Sequence, residues 1–308
     1  MARKRRGRPV HGWLVLDKPL QMSSAQAVAR VRRLLDAEKA GHGGTLDPLA
    51  TGVLPVALGE ATKTVAWTME GAKTYRFTVR WGEARATDDA EGAVTGTSPV
   101  RPDAQAITGV LARFMGELLQ RPPAYSALKV EGERAYDLAR AGEAVTLEPR
   151  KVRINSLSLI AMPDTDHAEF EAIVGKGTYI RALARDIAEA LGTVGHVAAL
   201  RRTRVGPFQE AQAISLDNLA TLVHSPRPLE HLLPVETALD DIPALAVTEA
   251  EADRLRCGQA VLPLRPSDRA WLLELGDGQS VRATCKEKLV ALTRIADGML
   301  RPVRVLNH

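Results

Sequence analysis

Gly41-His42-Gly43-Gly44-Thr45-Leu46-Asp47-Pro48-Leu49-Ala50-Thr51-Gly52-Val53-Leu54-Pro55 is the stretch on which the reading of this 308-residue chain turns. Gly41, Gly43 and Gly44 let the backbone approach a ligand closely, and they precede a carboxylate, Asp47, that Pro48 holds in an extended or turn geometry. The density of Gly and Pro predicts that most of the segment is loop. It is not a phosphate-binding loop, because no Gly lies five residues before a Gly-Lys-Ser/Thr, and Gly175-Lys176-Gly177 fails the same test. On local grounds alone an Asp-Pro pair here is a turn.

Outward from this loop, strand and helix signals mix. His11 to Asp17 reads as a short buried strand, and Ser23 or Ser24 caps a helix whose Ala27, Val28, Val31, Leu34 and Leu35 recur at helical spacing. Lys73 to Trp81 alternates, with Tyr75, Phe77, Val79 and Trp81 on one face and Thr74, Arg76, Thr78 and Arg80 on the other. Asp103 to Leu118 and Thr178 to Leu191 read as helices, the second with a stripe of Ile180, Leu183, Ile187 and Leu191. Arg150 to Ala161, Ala168 to Val174 and Val197 to Val205 read as strands. Residues 224–243, with Pro226, Pro228, Pro234 and Pro243, read as a linker, and short β-like runs fill 245–308. The expected fold class is therefore α+β: a catalytic body over residues 11–240 and a small, mainly β module over 245–308.

Composition narrows the function classes. Hydrophobic residues at 45% and charged residues at 25% fit a folded globular chain and exclude disorder or collagen. The net charge of +4 and pI of 9.2 point to a polyanion. However, Arg3, Lys4, Arg5, Arg6 and Arg8 crowd into a basic arm of residues 1–10, and without them the remaining bases balance the 37 acids. No run reaches the ~18 apolar residues of a membrane span, so a soluble chain without membrane contact is expected. The arm lacks the Ser of a transit peptide, and no secretory signal follows it, which favours the cytoplasm. Cys257 and Cys285 form no CxxC pair and the seven histidines no ligand spacing, so no metal and no cofactor is expected. Only 4 Trp, 4 Tyr and 4 Phe are present, too few for a broad base-stacking platform unless those few are carefully placed.

The loop resembles the catalytic signature of TruB-type tRNA pseudouridine synthases. Other segments in the same order resemble that family too: Leu16-Asp17-Lys18-Pro19 with Met22-Ser23-Ser24, Gly59-Glu60-Ala61-Thr62-Lys63, Lys73-Thr74-Tyr75, Pro123 to Lys129, Gly175 to Arg181, and Leu200-Arg201-Arg202-Thr203. The tail, Lys288 to Val305, is similar to the end of a PUA-type RNA-binding module. Two positions depart from the pattern: Gly43 stands where the family often has Thr or Ala, and Arg85 replaces a Thr in the motif around Thr87, Asp89 and Gly92.

This resemblance implies a pseudouridine synthase fold, with a mixed, mainly antiparallel sheet, flanking helices and a PUA-like C-terminal module. It implies isomerisation of uridine 55 in the T loop of tRNA on a flipped-out base, by a monomer that needs no small-molecule cofactor. Asp47 is then the catalytic residue, and attack at C1′, assistance to a glycal and addition to C6 are all open to it. Arg181 is implied as the cation beside Asp47, Tyr75 as the ring stacked on the base, and Tyr179 and Leu200 as pocket walls. His42 is suited to fill the space the base vacates. Without the resemblance these residues read as a solvated helix face, core packing and a surface histidine. The runs Arg150-Lys151-Arg153 and Arg201-Arg202-Arg204 are candidate phosphate contacts. The alternatives are an RNA-binding or RNA-folding protein on the same fold, a guide-dependent subunit of a ribonucleoprotein synthase, and a hydrolytic nucleosidase.

Overall fold

The Lys73–Trp81 strand lies at the middle of the main sheet because its alternation leaves Tyr75, Phe77, Val79 and Trp81 buried on one face. The computed structural model describes residues 7–126, 129–130, 133–134, 147–225 and 229–307. Most of the basic arm (Arg3 to Arg6), Ala127 and Leu128 of the Pro123 to Lys129 segment, and Pro226 and Pro228 fall outside them.

Across the sheet the strands run Gly12–Lys18, Ala50–Leu58, Gly195–Val205, Lys73–Trp81, His167–Val174, Arg150–Ala161 and Gly116–Gln120. Two short strands, Ala40–His42 and Phe208–Gln209, attach to Ala50–Leu58 and Gly195–Val205. Neighbours are antiparallel except at one seam, where Leu200, Arg201 and Arg202 run parallel to Ala50, Thr51 and Gly52. One face carries the larger core, under the Ser24–Leu34, Ala104–Leu111 and Ile180–Ala190 helices, with Phe170 stacked on Phe77 at 5.3 Å and edge-on to Trp81 at 6.3 Å. At the other face, Trp13, Val15, Val53 and Ala57 pack with Leu239, Leu289, Leu292 and Leu306, so the C-terminal module closes the back of the two strands at that edge.

The structure redraws four sequence expectations. The Gly41–Pro55 stretch is less loop than its composition suggests. Ala50–Leu58 is a strand through Pro55, whose lack of an N–H is tolerated because the parallel ladder is confined to Ala50–Gly52. The helix expected from Asp103 to Leu118 is capped by Asp103 but ends at Leu111; Gly116, at φ +88°, starts a strand that pairs with Arg150–Ala161. The stretch taken as a linker contains the helical turn Val235–Leu239, whose Val235, Ala238 and Leu239 are buried in the second core. The C-terminal module joins a four-stranded sheet to two helices, Glu249–Arg256 and Pro266–Leu275, which the β-like reading passed over. Thr248 and Glu251 form a capping box and Pro266 sits in the first turn, start signals present in the sequence.

Candidate active site

The site lies at the parallel seam. Asp47 and Leu49 from the loop, Ala50 at the start of its strand, Asp89, Arg181 and residues 197–200 line one pocket. Arg181 Nε stands 3.0 Å from Asp47 Oδ2. The Arg181 side chain is 7% exposed and that of Asp47 41%, so a buried cation holds a carboxylate that stays open to solvent. Arg181 is aimed by the start of the Ile180–Ala190 helix, and its Nη1 and Nη2 donate to the Thr87 and Tyr125 carbonyls at 2.9 and 3.0 Å. A second carboxylate, Asp89, approaches Nη1 at 3.6 Å and is itself fixed by Thr87 Oγ1 and the Glu91 N–H. Arg85, the departure from the family pattern, donates to the Gly92 and Ala90 carbonyls and so braces this turn.

The loop bearing Asp47 is held along its length. The carbonyls of Gly44 and Thr45 accept from Arg202, that of Leu46 from Ser24 Oγ, that of Asp47 from the Ala50 N–H, and that of Pro48 from the Gln21 N–H and Lys18 Nζ. Ser24 Oγ also accepts from the Leu46 N–H at 2.8 Å; Ser23, not Ser24, caps the first helix. Five consecutive carbonyls are thereby satisfied, an arrangement that fixes where the Asp47 side chain stands. Lys18 is fully buried, and its ammonium sits at about 8, lowered by burial, with Asp47 opposing and Arg202 reinforcing the shift.

The other expected site residues fall close by but not all in one pocket. Leu200 lines it, opposite Ala50 and Phe77. Tyr75 is 9% exposed and pairs across the sheet with Arg202 on one side and Ala172 on the other. Tyr179 caps the Arg181 helix; its N–H donates to Gln120 Oε1 and its carbonyl accepts from Gln120 Nε2, at 2.9 and 3.1 Å. Burial raises the Tyr179 hydroxyl above the ordinary phenol range, so it remains a proton donor. His42 ends the Ala40–His42 strand, outside the lining of the pocket, and its Nδ1 is buried without a hydrogen-bond partner among the described residues. Burial, then the charge of Arg202, holds this imidazole below its usual value and therefore neutral at pH 7.

Arginines expected at phosphates are partly engaged elsewhere. Arg201 pairs with Asp17 and Glu210, and Arg202 is buried. Arg204, Arg150 and Lys151 remain exposed. Arg185, one turn after Arg181 on the same helix, bonds Asp88, Asp186 and the Arg121 carbonyl. Among the described residues no cluster of His, Cys, Asp and Glu could hold a metal ion, and no helix is long and apolar enough to cross a membrane. Sequence reasoning assigned no site role to Lys18, Gln120 or Asp89 and read Ser24 only as a candidate helix cap, although Lys18, Ser24 and Asp89 stand in quoted motifs.

Residues 32–180 match the model of the TruB family pseudouridylate synthase N-terminal domain, and residues 181–240 that of the tRNA pseudouridylate synthase B C-terminal domain. The tRNA pseudouridine synthase B of Rhodospirillum rubrum is 57% identical over 307 residues, covering 100% of both chains. That of Gluconacetobacter diazotrophicus is 56% identical over 305 residues, covering 99% of this chain and 100% of its own. Among solved structures, a chain of a Cbf5–Nop10–Gar1 complex superposes with a TM-score of 0.73 at 26% identity, over 96% of this chain and 84% of that one.

Proposed function

Because the chain belongs to the TruB family of pseudouridylate synthases, we propose that it isomerises uridine 55 in the T loop of tRNA to pseudouridine, with Asp47 as its nucleophile. The observation that carries this reading is the Asp47–Arg181 pair: a solvent-open carboxylate on a fully braced loop, held by a buried guanidinium at 3.0 Å. The reaction breaks N1–C1′, forms C5–C1′, releases the C5 proton and leaves N1 protonated. It is redox-neutral and transfers no external group, so this chemistry asks for no cofactor. An ionised carboxylate serves each of the three routes, at C1′, toward the glycal or at C6.

In this reading the target base leaves its stack, at a cost of a few kcal/mol. Tyr75 stacks on it, Tyr179 and Leu200 wall the pocket, and neutral His42 enters the vacated space. Folded RNA is recognised mainly by shape and backbone, for which Arg150, Lys151, Arg204 and a PUA-like C-terminal module over 245–308 are the surfaces. The domain division at 240–245, a monomeric state and a cytoplasmic location complete the proposal.

Tritium release from tRNA labelled at C5 of uridine tests it. The purified chain alone should release label from an unmodified T-arm hairpin, and Asp47→Asn should abolish release while keeping tRNA affinity. Normal turnover by Asp47→Asn would remove Asp47 from the chemistry. A requirement for added guide RNA would assign the chain to the guide-dependent class, and free uracil in the products would make it a nucleosidase.

A further inference from the structure

Arg202 is among the largest fully buried side chains, 1% exposed, yet it belongs to a run of arginines that RNA binding would ask to be outside. Among the described residues its guanidinium has no carboxylate partner. It is satisfied by carbonyls alone: Nε donates to Val53 at 2.8 Å, Nη2 to Gly44 at 3.0 Å and Nη1 to Thr45 at 3.3 Å. Gly44 and Thr45 lead into Asp47 and Val53 follows it, so one side chain ties the two arms of the loop together from beneath. The backbone of Arg202 is equally constrained. It pairs with Gly52 on one side and Tyr75 on the other, and a Cβ at Gly52, where φ is +98°, would lie 2.3 Å from the Arg202 carbonyl oxygen. At Gly44 the backbone is the constraint: φ is +125°, a conformation that L side chains rarely adopt, while a Cβ there would sit in ordinary contact with Arg202 Nη1 at 3.5 Å.

We propose that Arg202 is a positioning residue of the reaction: it never meets the substrate, and its three-pronged grip on Gly44, Thr45 and Val53 sets where the Asp47 carboxylate stands relative to Arg181 and the sugar. Only a guanidinium places three donors in one plane over this span; the ammonium of a lysine reaches part of the set and holds the loop less tightly. The inference rests on the reading of Asp47 given above. A buried arginine kept only for stability would have served as well with a carboxylate partner. What singles this one out is that all its donors converge on the loop of the proposed nucleophile.

The test compares Arg202→Lys and Arg202→Gln with wild type and Asp47→Asn, using single-turnover tritium release at saturating tRNA and at a temperature where circular dichroism shows each variant folded. Expected for Arg202→Lys is a rate lower by about 100-fold, as for a misplacement near 1 Å, with tRNA Kd within about threefold of wild type. Arg202→Gln should be slower still. Amide exchange of residues 43–53 should quicken in both variants while the Arg150–Ala161 strand stays protected. Gly44→Ala, which strains the backbone at φ +125° and so moves the carbonyl that Arg202 holds, should be strongly non-additive with Arg202→Lys. A folded Arg202→Lys that turns over at the wild-type rate, or rate losses that simply add, would overturn the inference while an inactive Asp47→Asn left the proposed function standing. An active Asp47→Asn would remove the premise instead.

Discussion

Arg181 reaches Asp47 with Nε, 3.0 Å from Oδ2, while its two other nitrogens are engaged by the Thr87 and Tyr125 carbonyls. Every donor nitrogen of the guanidinium therefore has a fixed assignment, and Arg181→Lys is not a conservative change. The lysine variant should fold and bind tRNA yet lose about 100-fold or more in single-turnover rate, the scale for removing one preorganised donor. Arg181→Met should also cost about 3 kcal/mol in urea denaturation, because Asp89, nearly buried, loses its cation. A lysine variant with wild-type turnover would show that charge alone suffices.

Gly43 and Thr68 are coupled by shape. A Cβ on Gly43 would lie 2.4 Å from Thr68 Cγ2 and 3.1 Å from Thr68 Cβ, and Thr68 is buried in the short Val65–Glu70 helix. The methyl of Thr68 thus occupies space that a side chain at position 43 would need, which explains how this chain carries Gly where the family often has Thr or Ala. Gly43→Ala should destabilise by about 1–3 kcal/mol through overpacking. Adding Thr68→Ala should recover most of the loss, and it breaks no hydrogen bond, since Thr68 Oγ1 has no partner among the described residues. Equal melting losses for Gly43→Ala with and without Thr68→Ala would refute the coupling.

How much of this was legible depended on whether the deciding contacts were local. The Lys73–Trp81 strand followed from alternation, because each face meets a uniform environment over its whole length. Asp47 and Arg181 were legible only as motif members, since on pattern alone one is a turn residue and the other a solvated helix position. The three arginines on the Gly195–Val205 strand show the limit. They look equivalent in sequence, but the parallel pairing with Ala50–Gly52 and a register shift between Arg202 and Arg204 send one to Asp17, bury the next and leave the third exposed. Such partners lie some 150 residues away along the chain and leave no local trace. The Gly116–Gln120 strand differs from the expected helix for a related reason: Leu118 extends a helical period that Gly116 interrupts.

Lys73 gives the fold a pH signature. Its Nζ donates to the Met69 and Gly71 carbonyls, and burial, reinforced by Arg202, lowers it to about 8 from 10.5. Below pH 8 the lysine is charged in both folded and unfolded chains, and the folded one bears the desolvation cost. Between about 8 and 10.5 the folded lysine has released its proton while the unfolded one retains it, so the unfolded chain binds more protons and the contribution of Lys73 to stability rises with pH. The wild-type urea midpoint minus that of Lys73→Met should therefore shift in favour of wild type from pH 7.5 to pH 10. A flat difference, or one moving the other way, would show that Lys73 is not held near 8.

Lys63 joins the Gly59–Lys63 turn to the last strand, Met299–Val305. Its Nζ donates to Glu60 Oε2 at 2.7 Å and to the Val305 carbonyl at 2.8 Å, and Glu60 Oε2 also accepts from the Asn307 N–H at 2.8 Å. Gly59-Glu60-Ala61-Thr62-Lys63 thus acts as a clasp on the C-terminal module, beside the apolar seat formed by Leu289, Leu292 and Leu306. Lys63 lies more than 200 residues from Val305 along the chain, and its hydrogen-bond partners are Glu60 and Val305, so under the proposed function cutting the clasp should leave the chemistry alone and loosen the C-terminal module. Lys63→Met should weaken tRNA Kd by about fivefold, the equivalent of roughly 1 kcal/mol for a partly exposed pair. Its single-turnover rate at saturating tRNA should stay near wild type. Unchanged affinity would mean that the apolar seat alone holds the module, and a loss of rate with affinity intact would place the segment in the chemistry instead.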